Sequence, residues 1–276
     1  MNRSRPRAPL VRPGAKKSGA AIWIGIAVAV ALVVAGFIAA AIATSRAQSF
    51  DKTTLCNLEG PSAVTAILID TTDGVNAVQR RAVLNRLTRI NRDLIANERV
   101  EIFEISPTSD PLTPIFSMCR PASVKETSSL TGNKRVAQAK FDKQFKPQLE
   151  QALVRLLDRQ PAEQSPIMEA VQSAAVASFQ ATDLPDAAPK RLVLVSDMLQ
   201  HSSLGSHYSG LPDFSDYKSS PAFERSASNL SDVEVTVLYL RRPDAAAIQG
   251  LNHADFWSRW FMALDANDVT SVPIEG

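Results

Sequence analysis

The chain has 276 residues, of which 45% are hydrophobic and 21% are charged, with a formal net charge of +2 and two cysteines. This composition is typical of a folding chain, and it excludes a disordered protein, a coiled-coil rod and a small disulfide-stapled scaffold. The charge is uneven: residues 1–50 hold seven Lys and Arg residues and no acid, which leaves a net charge of −5 beyond residue 50. This acidic bulk argues against a phosphate-binding face, so we expect no nucleic-acid partner.

The first predicted element is a transmembrane helix. Gly19 to Thr44 form an uncharged apolar run of about 25 residues, enough to cross a hydrocarbon core of roughly 30 Å. Six of the seven bases precede this run, and by the positive-inside rule they place the N-terminus in the cytoplasm and the rest of the chain across the membrane. A cleaved signal peptide is the competing interpretation, but its apolar region is normally only about 7 to 15 residues long.

These signals divide the chain into a cytoplasmic basic tail (1–18), a transmembrane helix (19–44), a stalk (45–60) and one folded domain (61–276). We expect the helix in the inner membrane of a bacterial cell, crossing it once. The domain is then periplasmic, or extracellular in a single-membrane cell. Because such a compartment is oxidising, Cys56 and Cys119 are predicted to form one structural disulfide, with a pair of buried free thiols as the alternative.

Beyond the stalk, short apolar runs alternate with longer helical patterns. The runs predict strands at Ala63–Ile69, Val100–Ser106, Arg191–Val195 and Val233–Leu240, with an edge strand at Val269–Ile274. The helical patterns lie at Val75–Ile95, Lys134–Arg159, Pro166–Gln180 and His253–Ala266, and residues 107–133 are expected to form an irregular excursion. This order predicts an α/β fold with a doubly wound, mostly parallel sheet.

Acidic and hydroxyl side chains follow two of these strands. Asp70, Thr72 and Asp73 come after the first strand, and Asp197 follows the third. Ser165 precedes a proline at the predicted start of a helix, where we expect it to act as the N-cap. Ligands of open parallel sheets bind beyond the carboxyl ends of the strands, so these oxygen atoms are expected at one edge of the sheet.

Three short segments together resemble the metal-ion-dependent adhesion site of the von Willebrand factor A (vWA) family: Ile69-Asp70-Thr71-Thr72-Asp73-Gly74, Ser165-Pro166-Ile167-Met168-Glu169-Ala170 and Leu194-Val195-Ser196-Asp197. The resemblance spans about residues 61–276 and implies a vWA-like fold. It also implies a cation, Mg²⁺ or Mn²⁺, with one position open for a partner protein's carboxylate. The implied ligands are Asp70, Thr72, Ser165 and Asp197.

The sequence departs from the family pattern at Gly74, which stands where the family has a second hydroxyl and offers only its backbone. Asp73 is a candidate auxiliary ligand. A blander interpretation is that Asp70 or Thr72 caps the helix starting near Val75 and that Asp197 bonds the following loop, which leaves a degenerate, structural site.

The function expected from these observations is protein–protein interaction or assembly at a membrane, without enzymatic activity. The alternatives are a metal-assisted, membrane-anchored hydrolase and a purely structural subunit of an envelope complex. His201 and His207 are expected in a solvated loop rather than in a zinc site. Four aromatic residues are predicted on the core face of a closing helix: Phe256, Trp257, Trp260 and Phe261.

Overall fold

The computed structural model of the protein describes residues 19–46, 50–107, 113–127, 133–157 and 162–276. The predicted basic tail lies outside these residues, as do residues 47–49 of the predicted stalk and the end of the helical pattern at Arg159. The chain divides into two compact units, Met1–Gln48 and Ser49–Gly276. The first contains helix α1, Gly19–Arg46, and its segment Trp23–Ala40 has a mean hydropathy of 2.6, so it is long and apolar enough to cross a membrane.

The second unit is built on a six-stranded sheet. Its strands are β1 (Ala63–Asp70), β2 (Glu98–Ile105), β3 (Phe116–Cys119), β4 (Lys190–Ser196), β7 (Val233–Leu240) and β8 (Asp268–Ile274), while β5 (His201–Ser202) and β6 (Gly205–Ser206) form a separate small ribbon. The order across the main sheet is β3-β2-β1-β4-β7-β8. All neighbouring pairs are parallel except β2 with β3. The predicted α/β, doubly wound and mostly parallel sheet is therefore confirmed.

Helices cover both faces of this sheet. They are α2 (Ala77–Asp93), α3 (Lys134–Lys140), α4 (Lys146–Leu157), α5 (Ile167–Ala174), α6 (Phe214–Lys218), α7 (Pro221–Ser226) and α8 (Leu251–Ala263). One core joins Leu68 of β1 to α5 and α8, and the other joins its neighbour Ile69 to α2 and α4. Successive residues of a strand point to opposite faces, so burial on both sides explains why β1 is a continuous apolar run.

The residues predicted as a stalk are folded onto this unit from Phe50 onward. Asp51 Oδ1 accepts hydrogen bonds from the amides of Thr53 and Thr54 at 2.8 and 2.7 Å, which closes a turn. Cys56 then forms a disulfide with Cys119 of β3, which confirms the predicted pairing. The polar residues of the predicted stalk therefore form a turn that the Asp51 side chain closes. The disulfide holds this turn against β3, at the edge of the sheet.

The structure corrects the prediction that residues 107–133 form only an irregular excursion. Within the described part of that segment, β3 pairs antiparallel with β2 and buries Phe116 and Met118. A strand of four residues is too short to show a clear alternation of apolar and polar positions, so sequence periodicity does not reveal it. β3 is therefore the edge strand on this side of the sheet, and it runs antiparallel to its neighbour β2.

We expect the disulfide to contribute about 2 to 4 kcal/mol to the free energy of unfolding, because it closes a long loop in the unfolded chain. The two cysteines are 63 residues apart. The variant Cys56→Ser/Cys119→Ser should lose that stability in urea unfolding of the detergent-solubilised chain. A reductant should lower the wild type to the level of this variant and leave the variant unchanged; equal stability of the oxidised wild type and the variant would contradict the prediction.

Candidate functional site

The sheet order places two predicted site residues at adjacent strand ends. The chain runs outward from β1 to β2 on one side and from β4 to β7 on the other, so the order reverses between β1 and β4. The carboxyl ends of the two strands on either side of such a reversal splay apart and form a ligand-binding crevice. Asp70 ends β1, and Asp197 immediately follows β4.

Asp70 is buried and is the centre of a hydroxyl cluster. Its Oδ1 accepts hydrogen bonds from Thr72 Oγ1 at 2.6 Å and from the Thr72 amide at 3.1 Å. Its Oδ2 accepts from Ser165 Oγ at 3.0 Å and from Ser196 Oγ at 2.7 Å. Three of the four predicted ligands, Asp70, Thr72 and Ser165, are thus brought together, and Ser196 joins them.

Ser165 does not cap the following helix, contrary to the sequence prediction. Helix α5 begins at Ile167 with Pro166 in the N-cap position, and its Met168 amide donates to Oε1 of Gln200 at 2.9 Å, so a side chain from the loop after β4 takes the capping role. The Ser165 hydroxyl donates to Oδ2 of Asp70, because a buried carboxylate is a strong hydrogen-bond acceptor. The isolated pairing of the Ser165 backbone with His201 holds this loop against the start of β5.

Asp197 lies apart from this hydroxyl cluster and has different partners. Its Oδ1 accepts from the Leu199 amide at 3.0 Å, and its Oδ2 forms a 2.8 Å ion pair with Nε of Arg242. The guanidinium of Arg242 also donates from Nη1 to the carbonyl of Gly74. Buried Gln249 completes the arrangement, because it donates to the Asp197 carbonyl and accepts from the Arg242 amide.

The residue after Asp197 has an unusual backbone. Met198 is buried and lies in the left-handed region with a φ of 63°, which costs a non-glycine residue roughly 1 to 2 kcal/mol. Three hydrogen bonds hold this conformation: the Met198 amide donates to Ser196 Oγ, and the Met198 carbonyl accepts from Trp257 Nε1 and from the Gln200 amide. Ser196 therefore fixes both Asp70 and the turn that carries Asp197.

Burial controls the protonation of both carboxyls. It raises the pKa of Asp70, and repulsion from Asp197 raises it further, while the hydrogen bonds from Thr72 and Ser196 act in the opposite direction. Burial likewise raises the pKa of Asp197, to about 6, against the lowering effect of Arg242. A cation close to this edge is electrostatically favourable, and Arg242 supplies one in direct contact with Asp197.

The four predicted ligands fit a divalent cation only in part. The hydroxyl oxygens of Thr72 and Ser165 keep lone pairs while they donate to Asp70, so they remain able to ligate a hard cation. Asp197 does not fit while Arg242 holds its Oδ2. Among the described residues, no group of three or more His, Cys, Asp or Glu side chains is placed to hold a metal ion.

Two clefts open beside this edge, and the exposed Tyr208 lies between them. One, of about 340 Å³, is lined among others by Asp73, Asp197 and Arg242, and the other, of about 330 Å³, by Thr72, Ser165 and His201. Asp73, the candidate auxiliary residue, lines both clefts. Burial, with help from Asp73 and Asp197, raises the pKa of Tyr208 to about 12, so its phenol is protonated at neutral pH.

The prediction of a solvated loop is wrong for His207. Its side chain is 3% exposed, and its Nδ1 lies 2.9 Å from Nε2 of His253, whose Nδ1 lies 2.6 Å from the Tyr239 hydroxyl. His201 is partly exposed and bonds Ser206. The predicted core face of the closing helix is confirmed, since all four aromatic residues named above are buried on α8.

Sequence reasoning missed Ser196, Arg242, Gln249 and Met198. A signal existed for the first two. Ser196 lies inside the motif that pointed to Asp197, and Arg242 follows β7, whose carboxyl end lies beside that of β4. The rule that ligands meet at the carboxyl ends of strands applies to basic residues as well as to acids. For Gln249 and Met198, no sequence signal exists.

The strand order, the antiparallel edge strand β3 and the acids at the ends of β1 and β4 define a vWA-like fold, and the helix that precedes it, α1, is long and apolar enough to cross a membrane. No family model and no curated protein sequence matches the chain.

Solved structures with low similarity include an aerotolerance-related membrane protein from Bacteroides fragilis bearing multiple mutations to serine (12% identity, TM-score 0.35, covering 76% of this chain and 91% of that one). Another is the conserved hypothetical protein BatB from Bacteroides thetaiotaomicron (11%, 0.36, 76% and 90%). A third is the ArnB paralog VWA2 from Sulfolobus acidocaldarius (11%, 0.33, 66% and 36%). The vWA-like assignment rests on the topology and strand ends of this chain, and these likenesses carry no conclusion about its function.

We expect Asp70→Ala to lower the free energy of unfolding by about 2 to 4 kcal/mol, because it leaves three hydroxyls of a buried cluster without their acceptor. Asp73→Ala is the matched control, since Asp73 is more exposed, and it should change stability by less than about 0.5 kcal/mol. Urea unfolding in EDTA measures both variants. Equal effects of the two substitutions would show that the cluster is not a structural centre.

The buried histidine pair predicts a loss of stability in mild acid. Burial lowers the pKa of His207 to about 4 and, together with repulsion from His207 and Arg241, that of His253 to about 3, from an ordinary value of 6.5. Between pH 6.5 and pH 4 these two histidines bind more protons in the unfolded chain than in the folded chain, so their contribution to stability falls as the pH drops, by roughly 3 kcal/mol for each histidine. The raised pKa values of Asp70 and Asp197 act in the opposite direction. Urea unfolding at pH 7 and pH 4 should show that acidification is less destabilising for His253→Gln than for the wild type; equal changes would contradict the assignment.

Proposed function

We propose that the chain is a single-pass membrane protein whose exported vWA-like domain binds a partner protein at the carboxyl edge of its sheet. The observation that carries this proposal is Tyr208, an aromatic residue that is 53% exposed between two clefts beside buried charged groups. Exposed tyrosines beside preorganised polar groups are typical anchors of protein interfaces, because they bury a large area at little entropic cost.

The proposed orientation has the N-terminus in the cytoplasm and the domain in the periplasm of a bacterial cell, or outside a single-membrane cell. The basic residues before α1 support this orientation through the positive-inside rule. The disulfide between Cys56 and Cys119 supports it independently, because structural disulfides persist in oxidising compartments.

A metal-dependent form of the same function is also proposed. In it Asp70, Thr72, Ser165 and Asp197 hold Mg²⁺ or Mn²⁺, and a carboxylate of the partner completes the coordination. The hydroxyls gathered around Asp70 favour this form, because they supply oxygen atoms of the type that these cations prefer. It requires that Asp197 exchange Arg242 for the ion.

The proposed role is not enzymatic. Asp70 accepts four hydrogen bonds and Asp197 is ion-paired, so neither carboxylate is poised as a nucleophile or general base. The alternative of a metal-assisted hydrolase predicts turnover of an ester or phosphoester that Asp70→Asn abolishes. A purely structural subunit would instead use the edge only to hold its own loops together.

The proposal is tested by replacing Tyr208 with a photo-crosslinking amino acid in the full chain, in native membranes. We expect a defined adduct at this position, identified by mass spectrometry, because the side chain lies between the two clefts. Val176 is a matched control, since it is 55% exposed and lies two residues from Ser178, whose carbonyl accepts from Arg99 at the start of β2, on the opposite edge of the sheet. It should give no adduct with the same protein.

Cross-linking in EDTA and with added Mn²⁺ distinguishes the metal-dependent form of the proposal from direct docking. Loss of the adduct in EDTA and its return with Mn²⁺ would favour the metal-dependent form, and an adduct that EDTA does not change would favour direct docking. The same adducts at positions 208 and 176, or none at position 208, would overturn the interaction role.

A further inference from the structure

The side chain of Arg242 contacts two positions of the metal-ion site that the resemblance to the vWA family implies. Its Nε binds Oδ2 of Asp197, the predicted acidic ligand, at 2.8 Å. Its Nη1 donates to the carbonyl of Gly74, the position at which a second hydroxyl ligand is missing. One guanidinium therefore bridges the acid that a cation would use and the backbone that replaces a cation ligand.

This bridge is built into the fold. Gln249 is fully buried, accepts from the Arg242 amide at 2.7 Å and donates to the carbonyls of Asp197 and Leu240 at 2.9 Å. The loop that carries Arg242 is thus tied to the turn that carries Asp197. Arg242 is itself largely buried, with 14% of its side chain exposed. Because its backbone is fixed and its side chain is mostly buried, Arg242 loses little conformational freedom when its guanidinium forms the ion pair.

We infer that Arg242 is a resident cation that takes the place of a divalent metal ion at Asp197, so that the guanidinium and a metal ion exclude each other at this edge. Both oxygens of Asp197 are engaged, one by the Leu199 amide and one by Arg242. A divalent ion approaching Oδ2 meets the fixed positive charge of the guanidinium, which is protonated at all relevant pH values.

The inference rests on the proposed function, because it concerns the same carboxyl edge of the sheet. It reduces the number of oxygen atoms that this edge can provide to a metal ion. With Arg242 in place, Asp197 has its countercharge without metal, and only the hydroxyls of Thr72 and Ser165 beside Asp70 remain for an ion. Metal binding then requires Arg242 to leave Asp197. The guanidinium of Arg242 binds the Gly74 carbonyl, where the family has a hydroxyl ligand, and it also neutralises Asp197. The missing hydroxyl and Arg242 therefore belong to the same exchange of a metal ion for an arginine.

The test measures Mn²⁺ affinity of the full chain in detergent, from the electron paramagnetic resonance signal of free Mn²⁺. Arg242→Gln should bind Mn²⁺ at least about tenfold more tightly than the wild type, because the competing charge is gone. Arg242→Lys retains a positive charge and should stay within about twofold of the wild type. Arg259→Gln is the matched control, since Arg259 pairs with the exposed Asp255 and lies over the Phe214 ring rather than on Asp197, and it should leave Mn²⁺ affinity unchanged.

A double variant shows where the ion binds, and thermal melts show whether each variant is folded. Adding Asp197→Asn to Arg242→Gln should remove the gain in affinity, because the freed carboxylate is gone. Thermal melts accompany each variant, and Mn²⁺ should raise the melting temperature of Arg242→Gln more than that of the wild type. If Arg242→Gln unfolds in EDTA and Mn²⁺ does not restore it, the ion does not replace the guanidinium, and the inference fails.

The inference is also overturned if the wild type and Arg242→Gln bind Mn²⁺ equally, or if the gain survives Asp197→Asn. None of these outcomes depends on a partner, so they are separate from the cross-linking at Tyr208. A Tyr208 adduct with no gain in Mn²⁺ affinity would keep the proposed function and reject the role of Arg242. The converse result would keep Arg242 as the resident cation and reject the docking edge.

Discussion

The carboxylate of Asp70 is the interaction on which the carboxyl edge of the sheet depends. It joins the end of β1 to Ser165, 95 residues further along the chain, and to Ser196, 126 residues further along. A buried carboxylate is costly unless hydrogen bonds replace its hydration, and here the donors come from three separate segments. Those segments are therefore held together by the need to satisfy one charge, and the clefts beside Tyr208 take their shape from this arrangement.

The buried carboxylate of Asp197 also needs its charge compensated, but an ion pair does this instead of hydroxyl groups. Hydroxyls surround Asp70, whereas a guanidinium neutralises Asp197. Two buried carboxylates close to each other repel, and at least one countercharge stabilises the pair. A metal ion shared between them is one solution. An arginine that follows the neighbouring strand, β7, is another, and it neutralises the edge without a metal ion.

The sheet and part of this edge could be predicted because they depend on local patterns. A buried parallel strand is a continuous apolar run, and its last residues lie at a known edge, so Asp70 and Asp197 follow from β1 and β4 alone. The partners that decide their chemistry are not local. Arg242 reaches Asp197 across 45 residues, and His207 is buried by His253 across 46, so each pairing depends on how the loops pack. The polar loop around His207 has the composition of a solvated segment, and only its partner on α8 reveals that it is buried.

The loop after β4 connects the edge to the aromatic core, and this connection bears on how a partner could be recognised. Trp257 holds the strained Met198 turn, and the neighbouring His207 is fixed by His253 on the same helix, α8. Tyr208 is therefore an exposed residue whose preceding neighbour is anchored in the core. Binding through such a residue costs little ordering entropy, because the loop is already held before a partner arrives. An edge organised in this way suits docking to a preformed surface better than folding around a flexible ligand.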